Sequence, residues 1–226
     1  MYQINTLYWK NTDPIFPEYH KKIMNKFNIK VNYVNESLHH GKWMDSIMNK
    51  SKAEIIGFID IDCVVTNAEI IHKCIKYVKY SKSIIGIAQA SNHIHPCTHI
   101  FAGAGFFFIN KDSWIQNGKP SFCMLKPKLK NFFKKKYDVA EGVCYQFEEN
   151  NFKYKTLFPT HYDLPLPKKW YLHTYGEYGI GTYYKGGVYH LYESRISAHT
   201  KIFQEKCLMI LNDNFSTKNM LDCCDF

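Results

Sequence analysis

Ile55-Ile56-Gly57-Phe58-Ile59-Asp60-Ile61-Asp62 decides how this chain is read, because an apolar run ends in two acids spaced two residues apart. Five consecutive residues without a polar side chain read as a buried strand. In an extended segment residues i and i+2 point the same way, so a strand that continues carries both carboxylates on one side. If the strand bends, they still lie at its carboxyl-terminal rim. Two hard oxygen ligands at that spacing suit Mg2+ or Mn2+, which keep waters and bind substrate phosphates beside one or two protein carboxylates. The competing reading here is a strand end with two solvated acids.

Upstream, Tyr2 to Trp9 is rich enough in apolar and β-branched residues for an opening strand, and Asn11-Thr12-Asp13-Pro14 closes it as a turn. Pro17 to Phe27 carries Tyr19, Ile23, Met24 and Phe27 at helical spacing, and Ile29 to Val34 alternates like a second strand. Past a loop from Glu36 to Gly41, Trp43, Met44, Ile47 and Met48 form another helical stripe. Strand, helix, strand, helix, strand over sixty residues is the pattern of a parallel α/β sheet. Such sheets bind ligands outside the carboxyl ends of their strands, which is where the two aspartates fall.

Downstream, Thr66-Asn67-Ala68-Glu69 reads as a capping box opening a helix to about Tyr80, and Ile84 to Ala90 as the next strand. Gly103 and Gly105 stand just ahead of the strand Phe106 to Ile109, where glycine allows a ligand to approach the backbone. Asp138 and Glu141 share a face at the start of a helix. Either acid then steadies the helix N-terminus or serves as a general base. Late in the chain, His190 ends the strand-like run Gly186 to Leu191, with Arg195 soon after. A neutral imidazole there would complete a mixed oxygen and nitrogen site with Asp62, a set compatible with Mn2+.

Composition narrows the classes. A chain of 226 residues, 46% hydrophobic and 16% aromatic, has enough apolar mass for one large domain. We expect a domain over residues 1–203 followed by a C-terminal helix and tail over 204–226, with a short apolar helix from Cys207 to Leu211. No apolar stretch approaches the ~20 residues of a membrane span, and residues 1–20 lack the apolar centre of a secretory signal. The expectation is a soluble, cytoplasmic protein. Eight scattered cysteines without such a signal read as reduced thiols, and His93, His95, Cys97 and His99 come nearest to zinc spacing. The net charge of +9 gathers at Lys126, Lys128, Lys130, Lys134, Lys135 and Lys136. One basic loop suits a phosphorylated ligand or peripheral membrane contact better than a duplex, so no nucleic-acid partner is expected.

Taken together, these residues resemble the GT-A family of nucleotide-sugar glycosyltransferases over roughly residues 3–195, most strongly at Phe58-Ile59-Asp60-Ile61-Asp62. The resemblance implies a single Rossmann-like α/β domain whose mostly parallel central sheet is flanked by helices. It also implies an inverting, Mn2+- or Mg2+-dependent transfer from a UDP-, GDP- or dTDP-sugar donor to a hydroxyl of a glycan or glycolipid acceptor. By resemblance, Thr6 and Tyr8 would flank the nucleotide base and Glu36 would lie near base or ribose. Asp60 would contact ribose or metal, Asp62 and His190 the metal, and Arg195 the leaving group. Gly103 and Gly105 would leave room for donor sugar or acceptor, and Glu141, or failing that Asp138, would be the base.

Three other classes compete, one of them a glycoside hydrolase, which could use two carboxylates but would not need an Asp-x-Asp at a parallel strand end. A sugar nucleotidyltransferase would also use metal-binding acids on an α/β sheet, but it normally has a Gly-rich, Arg-bearing loop after the first strand, and Leu7 to Asn11 has no glycine. A non-enzymatic nucleic-acid-binding protein would use the lysines and ignore the aspartates.

Overall fold

The apolar run forms strand β3 (Ile55–Ile59), and its alternate residues feed two separate cores. Ile55 and Ile59 face one core, Ile56 and Phe58 the other, and all five residues are buried. A strand covered on both faces has no polar side to present, which is why the sequence there is continuously apolar. Truncating Phe58 to alanine would cost about 3–5 kcal/mol through lost burial and the cavity left behind.

This computed structural model describes residues 1–91, 99–123 and 137–213, with the backbone alone for 165–169. The first half comprises β1 (Tyr2–Tyr8), α1 (Ile15–Lys26), β2 (Asn32–Asn35), α2 (His40–Lys50), β3, β4 (Cys63–Val65), α3 (Glu69–Ser81) and β5 (Ile84–Ala90). The second comprises β6 (Ile100–Asn110), α4 (Lys111–Gln116), α5 (Glu141–Glu149), β7 (Tyr154–Leu157), β8 (Pro159–Tyr171), β9 (Glu177–Tyr184), β10 (Val188–His190) and α6 (Ser197–Leu211). Basic residues 126–136 and the tail beyond 213 lie outside the described residues, as do His93, His95 and Cys97. The cysteines that are described, Cys63, Cys74, Cys123, Cys144 and Cys207, are free thiols.

The central sheet has the order β2-β1-β3-β6-β5-β7. β1, β2, β3, β5 and β7 run the same way and β6 runs against them. The expected mostly parallel α/β sheet flanked by helices is therefore the architecture. Residues of α2, α4 and α5 fill the core on one face. On the other, α1, α3 and α6 pack with a second sheet, order β4-β10-β9-β8 and antiparallel throughout, which the sequence reading did not anticipate.

β6 is irregular where the two sheets meet. Gly86 of β5 pairs with Phe107 but the next residue, Ile87, pairs with Gly103, so Ala104, Gly105 and Phe106 have no counterpart on β5. Gly103 and Gly105 thus lie inside this strand and not ahead of it.

Three boundaries differ from expectation for local reasons. β2 begins at Asn32, because Ile29 and Val31 pack into the core beyond α1 instead of pairing. α3 is capped by Asn67, whose Oδ1 accepts the Ile70 N–H at 3.2 Å, while Thr66 is buried beside Gly187. α6 is longer than the expected short helix and runs unbroken through residue 203. Its Phe203 ring lies 4.8 Å from Phe16 of α1, and Phe203, Cys207 and Ile210 all join the larger core. No helix among the described residues is long and apolar enough to cross a membrane.

Candidate active site

β3 stops at Ile59, and the two acids sit in the turn that carries the chain from the central sheet to the second one. The Asp60 carbonyl accepts the Cys63 N–H at 3.0 Å, closing that turn. Its flanks are tied to both sheets: Asp60 N–H donates to Gly105 of β6 at 2.9 Å, and Leu191 N–H donates to the Asp62 carbonyl at 3.0 Å. The β10–β4 register then sets His190 opposite Cys63, which brings its ring beside Asp62.

One donor atom from each of Asp60, Asp62 and His190 lies within 4.8 Å of the others. His190 Nε2 is 3.3 Å from Asp62 Oδ1, close to the roughly 3 Å between neighbouring ligands of an octahedral ion with bonds of about 2.1 Å. Two carboxylates and an imidazole form a donor set that suits Mn2+ or Mg2+. On this geometry the three side chains fit a divalent cation.

The triad is electrostatically uneven. Enclosure by the cleft walls raises the Asp60 carboxyl above the ordinary carboxylate value; His40, 3.5 Å away, pulls it down and Asp62 pushes it further up. Burial acts on Asp62 in the same direction, but the His190 bond and charge, with a hydrogen bond from Ser194, outweigh it and hold Asp62 low. Burial likewise disfavours a charged His190, yet its bond to Asp62 and the charges of both acids lift its proton affinity above that of an ordinary imidazole. Asp62 and His190 are bonded to each other in this geometry, and a cation held by both would take the place of that bond.

These residues open into a cleft of about 1010 Å3. Its lining includes Tyr8 and Trp9, from the end of β1, and Tyr192 to Ser197. The Arg195 guanidinium lies 4.5 Å over the Trp9 ring, joining these two segments. Gln89, Asp138 and Val139 line the same cleft. Gln89 Nε2 donates to Asp138 Oδ2 at 3.3 Å.

The residues singled out from sequence divide accordingly. Tyr8, Asp60, Asp62, Gly105, Asp138, His190 and Arg195 line the cleft. Glu141 does not: it has no exposed surface, Oε1 accepts the Ser91 hydroxyl, and Oε2 accepts the Asp138 N–H at 2.8 Å. Helical spacing put both acids on one face, but Glu141 turns inward because its oxygens are bonded there. Thr6 is wholly buried in β1, and Glu36 is exposed outside the cleft, its N–H bonded to the Tyr8 carbonyl. The two glycines make room for side chains of this chain. A Cβ on Gly105 would lie 2.6 Å from His190 Cε1, and one on Gly103 would overlap the Gln89 amide. His99 belongs to the buried polar group around Ser91, 3.0 Å from its hydroxyl, and to Glu148, 3.3 Å from its carboxylate.

Sequence reasoning missed His40, Gln89, Trp9 and Ser194. His40 carried a usable signal, since His39-His40 opens a helix and His39 Nδ1 caps it, leaving the next imidazole at the helix start. Gln89 stands out only as the polar residue of an otherwise apolar strand.

No family model matches this chain, and no curated protein matches it. Solved structures with partial likeness include a Drosophila beta-1,4-galactosyltransferase 7 mutant in complex with manganese, UDP-Gal and xylobiose. It is 9% identical, with 69% of this chain and 65% of that one covered, at a TM-score of 0.41. Another is a CMP:2-keto-3-deoxy-manno-octonic acid synthetase complexed with CTP, 8% identical, covering 70% and 89% of the two chains at a TM-score of 0.41. A third is a glycosyltransferase involved in glycosylation of the major capsid of PBCV-1, 16% identical, covering 50% and 63% at a TM-score of 0.32. At TM-scores of 0.41 and below, these likenesses assign no family, activity or ligand to this chain.

Proposed function

We propose that this protein is a divalent-metal-dependent glycosyltransferase that moves a sugar from a nucleoside-diphosphate donor to a hydroxyl of a glycan or glycolipid. The observation that carries this reading is the Asp60-Asp62-His190 cluster at the carboxyl end of β3, opening into a cleft that Asp138 also lines. Asp62 and His190 would hold Mn2+ or Mg2+, with Asp60 as a third ligand or a contact to the ribose. The cation supplies charge neutralisation for a diphosphate leaving group.

The remaining chemistry belongs to the chain. Arg195, which lines the same cleft as the triad, would add fixed positive charge for the developing diphosphate. Asp138 accepts the proton of the acceptor hydroxyl as it attacks, and Gln89 holds one of its oxygens. Tyr8 and Trp9 supply aromatic surface for a nucleobase at the end of β1. With Asp138 as base, direct attack of the acceptor hydroxyl would invert the anomeric centre.

The test is thermal stabilisation of the purified protein by UDP, GDP and dTDP with and without Mn2+, followed by turnover of the matching sugar donors. A nucleoside diphosphate that stabilises only with the metal, an effect lost in Asp62→Ala, is the expected result. A full panel with neither stabilisation nor turnover overturns the proposal.

A further inference from the structure

We infer that Glu141 is a positioning residue for Asp138, holding that carboxylate in the cleft from behind; this rests on the reading of Asp138 as the base. Glu141 opens α5 with no exposed surface, so it cannot meet a substrate in the cleft. Its two oxygens divide the task. Oε2 accepts the backbone N–H of Asp138 at 2.8 Å and so fixes the main chain that carries the cleft carboxylate. Oε1 takes the hydroxyl of Ser91, with His99 Nδ1 3.6 Å away.

Ser91 and His99 anchor that second oxygen to the sheet. Ser91 N–H donates to the His99 carbonyl at 3.0 Å, and its hydroxyl lies 3.0 Å from His99 Nδ1, so the end of β5 and the start of β6 are closed onto each other. His99 is steadied in turn by Tyr145 of α5, stacked at 4.0 Å, and by Glu148. The start of α5 is thus bolted to the β5–β6 pair through one carboxylate.

The backbone between the two acids shows why a bolt is needed. Ala140 has φ of +73°, a left-handed conformation that a residue with a Cβ holds only when its surroundings enforce it. That kink turns Asp138 toward the cleft while Glu141 turns inward. From the cleft side, Gln89 clasps Asp138 Oδ2, and the missing side chain of Gly103 leaves the space in which the Gln89 amide lies. Asp138 is held at its main chain by Glu141 and at its side chain by Gln89.

The experiment compares Glu141→Ala, Glu141→Gln and Ser91→Ala in the full chain. It reads hydrogen exchange of the Asp138 amide against that of Ile56 in β3, stabilisation by UDP with Mn2+, and kcat and KM for the donor that turns over. In Glu141→Ala we expect Asp138 exchange at least about tenfold faster relative to Ile56. We expect kcat to fall about tenfold or more with KM within about twofold, because orientation and not donor binding is lost. Glu141→Gln keeps an oxygen for the Asp138 N–H and should recover most of both losses, which a general loss of packing would not predict. If Glu141→Ala does not fold, Ser91→Ala, which removes the hydroxyl bonded to Oε1 and leaves Oε2 on the Asp138 N–H, should show the same pattern at smaller size. Unchanged Asp138 exchange in the folded variants overturns the inference whether or not a donor has been found. Asp138→Asn with wild-type kcat overturns the base assignment instead, and the exchange data still decide what Glu141 does.

Discussion

Asp60 and Asp62 both line the cleft, whereas of Asp138 and Glu141 only the first does, so two pairs of acids with nearly the same sequence spacing are used in opposite ways. Asp60 and Asp62 both stay in the cleft because main-chain bonds to Gly105, Cys63 and Leu191 hold the turn that carries them. Asp138 and Glu141 sit at the start of α5, and no strand among the described residues is paired with their backbone. One acid there is withdrawn from solvent to hold the other. A backbone already fixed by a sheet can offer both its carboxylates to a ligand, whereas one at a loop–helix junction uses a side chain to do the sheet's work.

The contrast is open to attack, beginning with its largest expected consequence. Asp62→Ala should remove stabilisation by nucleoside diphosphate with Mn2+ and lower turnover by about a thousandfold, since it takes a ligand and the partner of His190 together. Retained metal-dependent stabilisation in a melting assay would dissolve the distinction between the two pairs. Asp138→Asn should lower kcat about a hundredfold while leaving that stabilisation intact, because it touches proton transfer alone. Loss of stabilisation as well would place both pairs in the metal site.

Gly105→Ala should come next, weakening Mn2+ affinity about tenfold and destabilising the fold by about 1–3 kcal/mol as the new methyl displaces His190. Isothermal titration with Mn2+ and denaturant unfolding separate the two effects. The smallest expected effect is a pH slope. Burial disfavours the charged form of His99, but bonds to Glu141 and Glu148 outweigh it, so its folded pKa lies above 6.5. A raised pKa gives stability that is complete below the unfolded value and is lost as pH climbs through the folded one. Burial works against Glu148 too, yet His99 and Tyr154 hold it below 4.5, so its share is lost in acid. Unfolding free energy of the wild type minus that of His99→Gln should therefore be largest between those limits and shrink above neutrality. A difference that grows with rising pH would contradict the pairing.

The central sheet was legible because burial on both faces writes itself into consecutive residues, as in Ile55 to Ile59 and Ile84 to Ala88. The grouping of Asp60 and Asp62 at the end of β3, which with His190 could hold a metal ion, was legible for a related reason: acids that end such a run have few structural uses. The second sheet was not. In β9 and β10 consecutive residues such as Tyr183-Tyr184 and Val188-Tyr189 are all buried and many are tyrosine, so no apolar alternation announces the sheet. The inward turn of Glu141 was hidden more deeply still, because it depends on Ser91, fifty residues earlier, and on a positive φ at an alanine. Neither follows from local spacing.

The three unmatched residues of β6 have a meaning for how such a cleft changes over time. Below them, Phe107 to Ile109 is gripped by strands on both sides; above them, Ile100 to Gly103 pairs with β5 alone, while β3 has turned away toward the other sheet. The sheet divides there like a tuning fork, with the aspartate turn on one prong and Gln89 with its acid on the other. Phe106 still pairs with Ile59 and the Gly105 carbonyl still takes the Asp60 N–H, so Ala104 is the residue at the crotch of that fork. A residue gained or lost there would alter the gap between the prongs while Ile100–Gly103 keep their register on β5 and Phe106–Asn110 theirs on β3.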